Sequence, residues 1–301
     1  MPVHLLNSHR RRFIRVSLGA GVGTLAWSSA ADQAEHYALL ADTHIDADPD
    51  LVANGAALAP NLTRVITEIL EANKSRPISG VIINGDCALN DGQLGDYETL
   101  TKLLKPLQIA GIPVHLTMGN HDDRYNMGQV MKERQPDTPL VQQKHVSIIE
   151  SAFANWFLLD TLEVVNRVTG ALGAEQVTWL DAALAARSDK PALLIGHHYL
   201  QADPNAETIT GIRDTALFRQ ILTKHRHVRA YISGHSHRWE VSDSAAGRPS
   251  FISLPPTAYV FDPKRPNGWV LASFDAAGLQ LRLSTLDENH PEQGEKAEFP
   301  F

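Results

Sequence analysis

The chain has 301 residues, of which 43% are hydrophobic and 20% are charged, so its composition is typical of a globular protein and excludes a disordered one. Its net charge of −7 disfavours nonspecific nucleic-acid binding, which requires a basic surface. The single cysteine, Cys87, excludes an intramolecular disulfide and a zinc site built from several thiolates.

The first residues have the composition of an export signal. Arg10-Arg11-Arg12-Phe13-Ile14 precedes an apolar, glycine-containing stretch at 16–27 and small residues at 28–31. Two arginines, a spacer, Phe and Ile resemble the twin-arginine pattern. This pattern predicts a signal peptide at residues 1–31 and export through the twin-arginine machinery to the periplasm, with cleavage near Ala30 or Ala31.

A general secretory signal and an uncleaved anchor are the alternatives for this segment. An anchor is disfavoured because the apolar stretch at 16–27 is shorter than the roughly 20 residues that cross a bilayer as a helix. Removal of residues 1–30 would take away four arginines and change the net charge from −7 to −11. Any phosphate bound by so acidic a chain must be held by local positive charge.

Beyond residue 31, strand-like and helix-like segments alternate, as in an α/β domain. Short apolar runs predict buried strands at 37–41, 81–83, 114–118, 192–195 and 228–232. Apolar residues with helical spacing predict core-facing helices at 61–72, 96–107, 174–186 and 214–224.

The later part of the chain is richer in short β-like segments. We predict a second sheet, packed against the first, from segments 238–242, 250–254, 269–274 and 279–286. Segments 145–149 and 157–162 are candidate strands in mid-chain. Aperiodic segments at 123–139, 199–213 and 255–268 predict loops beside the ligand site.

Each of the five predicted strands ends in a cluster of Asp, Asn, Gly or His. Because ligands bind beyond the carboxyl ends of strands in α/β sheets, we expect all five clusters to lie at one rim. Members of the pairs Asp42/His44 and His235/His237 are two residues apart, so on an extended backbone each pair would chelate together. Seven donors are too many for one ion and suit two. They are Asp42, His44, Asp86, Asn120, His197, His235 and His237.

Oxygen and imidazole donors without thiolate suit Fe, Mn, Zn, Co or Ni rather than calcium. The ordered motifs Asp-x-His, Gly-Asp, Gly-Asn-His-Asp, Gly-His and Gly-His-x-His resemble the calcineurin-like metallophosphoesterase superfamily over about residues 37–254. The resemblance implies a four-layer α/β sandwich of two mixed β-sheets flanked by helices. It also implies a single metallophosphoesterase domain at 32–301.

The resemblance implies two metal ions that share Asp86. One would be held by Asp42, His44, Asp86 and His237, and the other by Asp86, Asn120, His197 and His235. His198 is the alternative to His197, because adjacent side chains on a strand point in opposite directions. His121 resembles the family's histidine that protonates the leaving group or steadies the phosphoryl group, so the implied catalytic residues are Asp86 and His121.

Further motifs are similar to bacterial class III cyclic nucleotide phosphodiesterases and glycerophosphodiesterases. They are Asn84-Gly85-Asp86, Asn90-Asp91-Gly92 and a Gln-x-x-Trp-Leu segment at 176–180. The candidate substrate contacts are Asn90, Arg124, His198 and Tyr259. Arg124 could pair with a phosphate oxygen through its planar fork, or form a salt bridge with Asp122 or Asp123.

We therefore expect a two-metal hydrolase in which a metal-bridging hydroxide attacks a small phosphodiester of cyclic nucleotide or glycerophosphodiester type. The alternatives are a phosphomonoesterase, a hydrolase of nucleotide or lipid pyrophosphates, and an inactive metal-binding module. The expected partners are a small phosphoester and the export machinery, without specific nucleic-acid binding and without a stable membrane span after processing.

Overall fold

The structure is a computed structural model that describes residues 4–5, 34–131, 140–203, 205–242 and 248–301. The helices in these ranges are α1 (Leu58–Ser75), α2 (Leu94–Ile109), α3 (Arg124–Val130), α4 (Ala174–Ala185) and α5 (Thr215–Lys224). The first eight strands are β1 (His4–Leu5), β2 (Glu35–Ala41), β3 (Val52–Ala53), β4 (Ala56–Ala57), β5 (Ile78–Asn84), β6 (Val114–Thr117), β7 (Ser147–Glu150) and β8 (Asn155–Leu158). The others are β9 (Ala192–Ile195), β10 (Val228–Ser233), β11 (Glu240–Ser242), β12 (Ser250–Ser253), β13 (Gly268–Phe274), β14 (Gly278–Thr285) and β15 (Lys296–Pro300).

Most strands belong to two mixed sheets. The first sheet has the order β1-β6-β5-β2-β13-β14-β15, with β2, β5 and β6 parallel and the remaining neighbours antiparallel. The second has the order β11-β12-β10-β9-β8-β7, with β8, β9, β10 and β12 parallel. A two-stranded hairpin, β3-β4, precedes α1.

Three apolar clusters show how the layers pack. Leu39 of β2 faces the second sheet, where it joins a cluster that includes Trp156 and Ile232. Its neighbour Leu40 points the other way, toward α1 and α2. The second sheet buries its own outer face against α4 and α5. The order is therefore helices, sheet, sheet, helices, which confirms the predicted four-layer sandwich.

The helices follow from the predicted periodicity. In α1 the side chains of Leu62, Val65, Ile66 and Ile69 are buried, and each fully buried aliphatic side chain contributes about 1.5–3 kcal/mol of transfer free energy. A capping box fixes the start of α2, where the side chain of Gln93 accepts from the backbone of Asp96 and the Asp96 side chain accepts from Gln93.

The predicted division of strands between the sheets is wrong. Of the five strands that end in polar clusters, β2, β5 and β6 lie in the first sheet, but β9 and β10 lie in the second. The late strands β13, β14 and β15 extend the first sheet, and only β11 and β12 join the second. Strands covered on both faces have the same continuous apolar pattern in either sheet, so periodicity could not assign them.

A second difference is α3, which lies inside a segment predicted to be a loop. Asp123 begins this helix as its N-cap, because its side chain accepts a hydrogen bond from the backbone N–H of Asn126. The predicted signal at 1–31 lies outside the described residues apart from His4–Leu5, which pairs with β6. None of the helices in the described part of the chain has the length and apolarity to cross a membrane.

Candidate metal centre

The predicted donors lie at one rim, where the carboxyl ends of strands from both sheets meet. Three strands of the first sheet and two of the second end shortly before a donor. The donors are Asp42 and His44 after β2, Asp86 after β5, Asn120 after β6, His197 after β9, and His235 and His237 after β10.

The first cluster consists of three buried side chains, Asp42, His44 and His237. Their ligand atoms lie within 4.8 Å of one another. Nε2 of His237 is 3.4 Å from Oδ1 of Asp42 and 3.1 Å from Nε2 of His44. Two imidazole nitrogens and a carboxylate that converge at these distances form a donor set for a transition metal.

The second cluster consists of Asp86, His197 and His235, again with ligand atoms within 4.8 Å of one another. Asp86 and His197 are buried and His235 is half-buried. Nε2 of His197 lies 3.1 Å from Oδ2 of Asp86. This cluster also combines one carboxylate with two imidazoles.

Asp86 connects the two clusters. Its Oδ2 atom is 3.1 Å from Nε2 of His197 in the second cluster and 3.9 Å from Nε2 of His44 in the first. Oδ1 of Asp42 is likewise 3.9 Å from Nε2 of His197. The clusters are therefore adjacent, and the Asp86 carboxylate is placed so that it can serve both.

Backbone carbonyl groups determine which nitrogen of three histidines faces the clusters. A carbonyl oxygen only accepts, so each Nδ1 near one carries the proton and donates it. In the neutral ring Nε2 then presents a lone pair, the arrangement in which histidine binds a metal. The Nδ1–carbonyl pairs are His44 with Leu89 at 3.3 Å, His197 with Asn84 at 2.9 Å and His237 with Tyr259 at 2.7 Å.

Two further features show that these residues fit metal ions. Within the described residues, the buried Oδ1 atom of Asn120 has no hydrogen-bond partner. An unpaired buried polar atom costs about 1–3 kcal/mol, which coordination to a metal would remove. Nε2 of His44 and Nε2 of His237 face each other at 3.1 Å, so two neutral rings protonated at Nδ1 repel there unless a metal ion or a proton lies between them. The donor set therefore fits a binuclear transition-metal centre.

Ionisation in the centre also favours cation binding. Burial alone would raise the pKa of Asp86, but His197, followed by His44 and His121, outweighs burial and lowers this pKa well below its usual value. Burial lowers the pKa of His44 and of His235 to about 4, so both rings are neutral at neutral pH. Burial would also lower the pKa of His197, but Asp86 and then Asp42 raise it to about 9. His197 therefore binds a positive charge, which is either a proton or a metal ion in its place.

The backbone at five donors has a left-handed conformation. A positive φ costs a non-glycine residue about 1–3 kcal/mol and is concentrated at functional sites. The extended backbone assumed from the sequence is therefore wrong at both pairs. Asp42 and His44 nevertheless lie in one cluster, as predicted, whereas His235 and His237 enter different clusters instead of chelating together. The φ values are 52° at Asp42, 46° at His44, 46° at Asp86, 65° at His235 and 52° at His237.

His121 lies at the edge of the centre. Its backbone N–H donates to Oδ1 of Asp86 at 2.8 Å, and its ring centroid is 5.4 Å from that of His44. Its Nδ1 donates to the backbone carbonyl of Asn90 at 2.5 Å, which leaves Nε2 free. Asn90, a predicted substrate contact, orients His121 through this backbone carbonyl.

The structure distinguishes between His197 and His198. His197 is in the second cluster, whereas Nδ1 of His198 lies 2.8 Å from the hydroxyl oxygen of Thr161. The His198 ring packs 4.6 Å from the ring of His235. Its buried position gives it the role of a support for His235 rather than a substrate contact.

Arg124 does not have the predicted position beside a substrate phosphate. Its Nε and one terminal nitrogen donate to the buried Asp160 carboxylate at 2.6 and 2.8 Å, and it also donates to the carbonyl of Leu162. The alternative partners, Asp122 and Asp123, are wrong as well. Lys144 donates to the backbone carbonyl oxygens of Asp160 and Leu162. Arg124, Lys144 and Asp160 therefore form a partly buried ion cluster that joins α3 to the end of β8.

Tyr259, a predicted substrate contact, packs against the first cluster. It is 8% exposed, and its ring packs 5.0 Å from His44 and 4.8 Å from His237. Because its carbonyl oxygen also accepts from Nδ1 of His237, Tyr259 supports the first cluster. The exposed aromatic residue of this loop is Phe261, which the sequence reasoning missed.

Asp122 is a second residue whose role was missed. Its buried carboxylate accepts from the backbone N–H groups of Cys87, Ala88 and Gly119 and from the hydroxyl of Tyr97. It therefore holds the two loops that carry Asp86 and Asn120 at a fixed separation. Its position in the Gly-Asn-His-Asp motif was the available signal.

Comparisons with known proteins agree with this geometry. Residues 36–239 match the family described as calcineurin-like phosphoesterase. A Synechococcus protein named "Probable cyclic nucleotide phosphodiesterase" is 26% identical over 235 residues, which cover 77% of this chain and 84% of that protein. An Arcobacter nitrofigilis protein named "Probable glycerophosphodiester phosphodiesterase" is 24% identical, and the match covers 66% of this chain and 70% of that protein. A dimetal phosphatase of Danio rerio has a similar fold, with a TM-score of 0.63, 16% identity and coverage of 89% of this chain and 99% of that chain. The predicted similarity to both groups of phosphodiesterase is confirmed.

Proposed function

The chain belongs to the calcineurin-like phosphoesterase family, and on that premise we propose that it is a phosphodiesterase that hydrolyses small diesters of cyclic nucleotide or glycerophosphodiester type. The observation that carries this proposal is the pair of adjacent donor clusters joined by Asp86, with His121 at their edge. The relatives with phosphodiesterase names support the choice of a diester.

We assign the donors as the family resemblance implies. Asp42, His44, Asp86 and His237 would hold one ion, and Asp86, Asn120, His197 and His235 would hold the other. When bound, two ions activate water at neutral pH and neutralise charge on the phosphoryl group. The chain itself supplies two ionised carboxylates at this centre, so the loaded site retains positive charge that attracts an anionic ester despite the acidic composition.

His121 would supply the proton to the departing alkoxide. Since its Nδ1–H is committed to the carbonyl of Asn90, the ring would donate as an imidazolium, with the proton on Nε2 passing to the leaving oxygen and the neutral Nδ1–H ring remaining. The hydrogen bond from its backbone to Asp86 fixes its position relative to both clusters. No Ser or Cys nucleophile is needed, and Cys87 is buried.

The test is hydrolysis by one preparation supplied in turn with Mn, Zn, Fe, Co and Ni. Bis(p-nitrophenyl) phosphate should be cleaved faster than p-nitrophenyl phosphate. A faster monoester rate would assign a phosphomonoesterase, and absence of turnover with every metal, with ligand binding retained, would assign an inactive binding module. Preferential cleavage of a nucleotide or lipid pyrophosphate would also contradict the proposal.

Export is a separate part of the proposal, and the support for it is the sequence of residues 1–31. We propose that these residues direct folded protein through the twin-arginine machinery, after which residues 32–301 act as one domain in the periplasm. Replacement of Arg10 and Arg11 together by lysine should leave the precursor inside the cell, as fractionation would show. Unchanged export of this variant would contradict the twin-arginine route.

A further inference from the structure

Phe261 is an exposed aromatic residue beside the metal centre. It is 72% exposed, whereas Tyr259, two residues earlier in the same loop, is 8% exposed. A single exposed apolar side chain is common on protein surfaces and needs no explanation by itself. Its neighbours at the centre are what make Phe261 informative.

The Phe261 ring lies against a candidate metal ligand. Its centroid is 4.5 Å from that of the His237 imidazole, and the two planes are inclined by 31°. On a second side the ring of Tyr259 meets it at 5.6 Å with an angle of 76°. Only the imidazole ring therefore separates Phe261 from Nε2 of His237, the atom that faces the first cluster.

The loop that carries Phe261 is tied to the strand that carries the first donors. The backbone N–H groups of Thr257 and Ala258 donate to the carbonyl oxygens of Ala41 and Asp42 at 2.8 and 3.1 Å. The carbonyl of Ala258 in turn accepts from the side-chain amide of Asn61 at 2.7 Å. Hydrogen bonds at the base of the loop hold its backbone beside the cluster before any substrate binds, which lowers the entropy cost of binding.

We infer that Phe261 forms a stacking platform for the planar base of a nucleoside phosphodiester. This inference rests on the proposed function and selects the cyclic nucleotide class over the glycerophosphodiester class. In a nucleotide one ribose separates the base from the phosphate, so a phosphate at the two clusters places the base beside the centre, where Phe261 lies. Any base can stack on an aromatic ring, whatever its pattern of hydrogen-bond donors and acceptors. A glycerol group is small and polar and gains nothing from that ring.

The experiment compares kcat/KM for 3′,5′-cyclic AMP with kcat/KM for glycerophosphoethanolamine in the metal-loaded enzyme. Phe261→Ala and Phe261→Leu should lower the ratio of the two values about tenfold, and Phe261→Trp should keep it within about twofold of wild type. The matched control is Ile109→Ala, which removes another exposed apolar side chain, 76% exposed, at the far end of α2. An unchanged ratio in Phe261→Ala, or a wild-type ratio in Phe261→Leu, would overturn the stacking platform.

A binding measurement separates this inference from the proposed function. Calorimetry on the metal-loaded wild type should show tighter binding of AMP than of glycerol 3-phosphate, and Phe261→Ala should lose that preference. If wild type cleaves neither diester, the proposed function fails, but the preference for AMP still decides the role of Phe261. Equal affinities of the two monoesters for wild type would overturn the platform even in an active enzyme.

Discussion

The backbone N–H of His121 donates to Oδ1 of Asp86 over 2.8 Å, so the candidate proton donor is held by the carboxylate that joins the two clusters. A change in the position of Asp86 would therefore move His121 as well. Removal of the His121 ring, in contrast, leaves this backbone bond and all metal donors in place. The two residues can for this reason be tested separately.

His121→Ala should lower kcat by about 10²–10⁴-fold for an ester with an alkoxide leaving group, because such a group needs a proton as it departs. The loss should be much smaller for bis(p-nitrophenyl) phosphate, whose phenolate leaves without one. Steady-state kinetics with both esters and the metal content of the variant measure this. The control is His36→Ala, whose ring bonds to Ser273 at the opposite end of β2. Equal losses for the two esters would argue against proton donation.

Asp86→Asn should lower both metal content and activity. Replacement of the shared carboxylate removes negative charge that both ions would use, so we expect metal affinity to fall about a hundredfold or more. Elemental analysis after dialysis should give about two ions per chain for wild type and fewer for the variant. Asp48→Asn is the control, because Asp48 is an exposed carboxylate that accepts from Asp50. A variant that retained both ions would remove Asp86 from the centre.

The metal donors could be predicted from the sequence because each lies shortly after the end of a strand with a local apolar pattern. The strand ends fix the place of His197 and of Asp86, whichever sheet contains the strand. The conformation after the strand could not be predicted. The left-handed backbone at His235 and His237 depends on contacts such as the bond from the His235 N–H to Asp42, 193 residues away in the chain.

Roles that depend on partners distant in sequence were also beyond prediction. Arg124 follows the Gly-Asn-His-Asp motif, and this position suggested a phosphate contact. Its guanidinium instead donates to the carboxylate of Asp160, which lies 36 residues later. Only the fold brings β8 beside α3. Likewise nothing local indicates that Tyr259 is buried under His44 while Phe261 is exposed.

Gly85→Ala should disturb the second cluster although it removes no donor. A Cβ at Gly85 would lie 2.6 Å from Nδ1 of His197 and 2.7 Å from the backbone nitrogen of Gly119. We expect the loss of one metal ion and a fall in kcat of about tenfold or more, because small displacements of catalytic groups lower the reaction rate. Gly55→Ala is a matched control, since φ is +77° there and +71° at Gly85, but a Cβ at Gly55 meets nothing within 4 Å. Similar effects of the two variants would assign the result to backbone strain alone.

Asp160→Asn should destabilise the fold without changing the metal donors. Asp160 is fully buried and accepts from Arg124, from the backbone of His145 and from the backbone of Leu162. An amide would turn an N–H group toward one of these donors and leave Arg124 without its counter-charge. Because loss of one partner of a buried pair is costly, the free energy of unfolding should fall by about 3 kcal/mol at pH 7. Urea denaturation in the presence of a chelator measures it.

The destabilisation in Asp160→Asn should depend on pH in a defined direction. Burial would raise the pKa of Asp160, but the hydrogen bond and charge of Arg124, and then the charge of Lys144, outweigh burial and lower it. A carboxylate whose pKa is lower in the folded state stabilises the protein above its unfolded pKa of about 4, and this contribution is lost as the pH falls through the folded pKa. The difference in unfolding free energy between wild type and the variant should therefore be largest near neutral pH and shrink below about pH 4.

Glu150→Gln, which removes the exposed partner of Arg187, should change the unfolding free energy by less than about 1 kcal/mol at either pH. A difference in Asp160→Asn that stayed constant down to low pH would show that shape, and not the charge of Asp160, holds α3 against the second sheet.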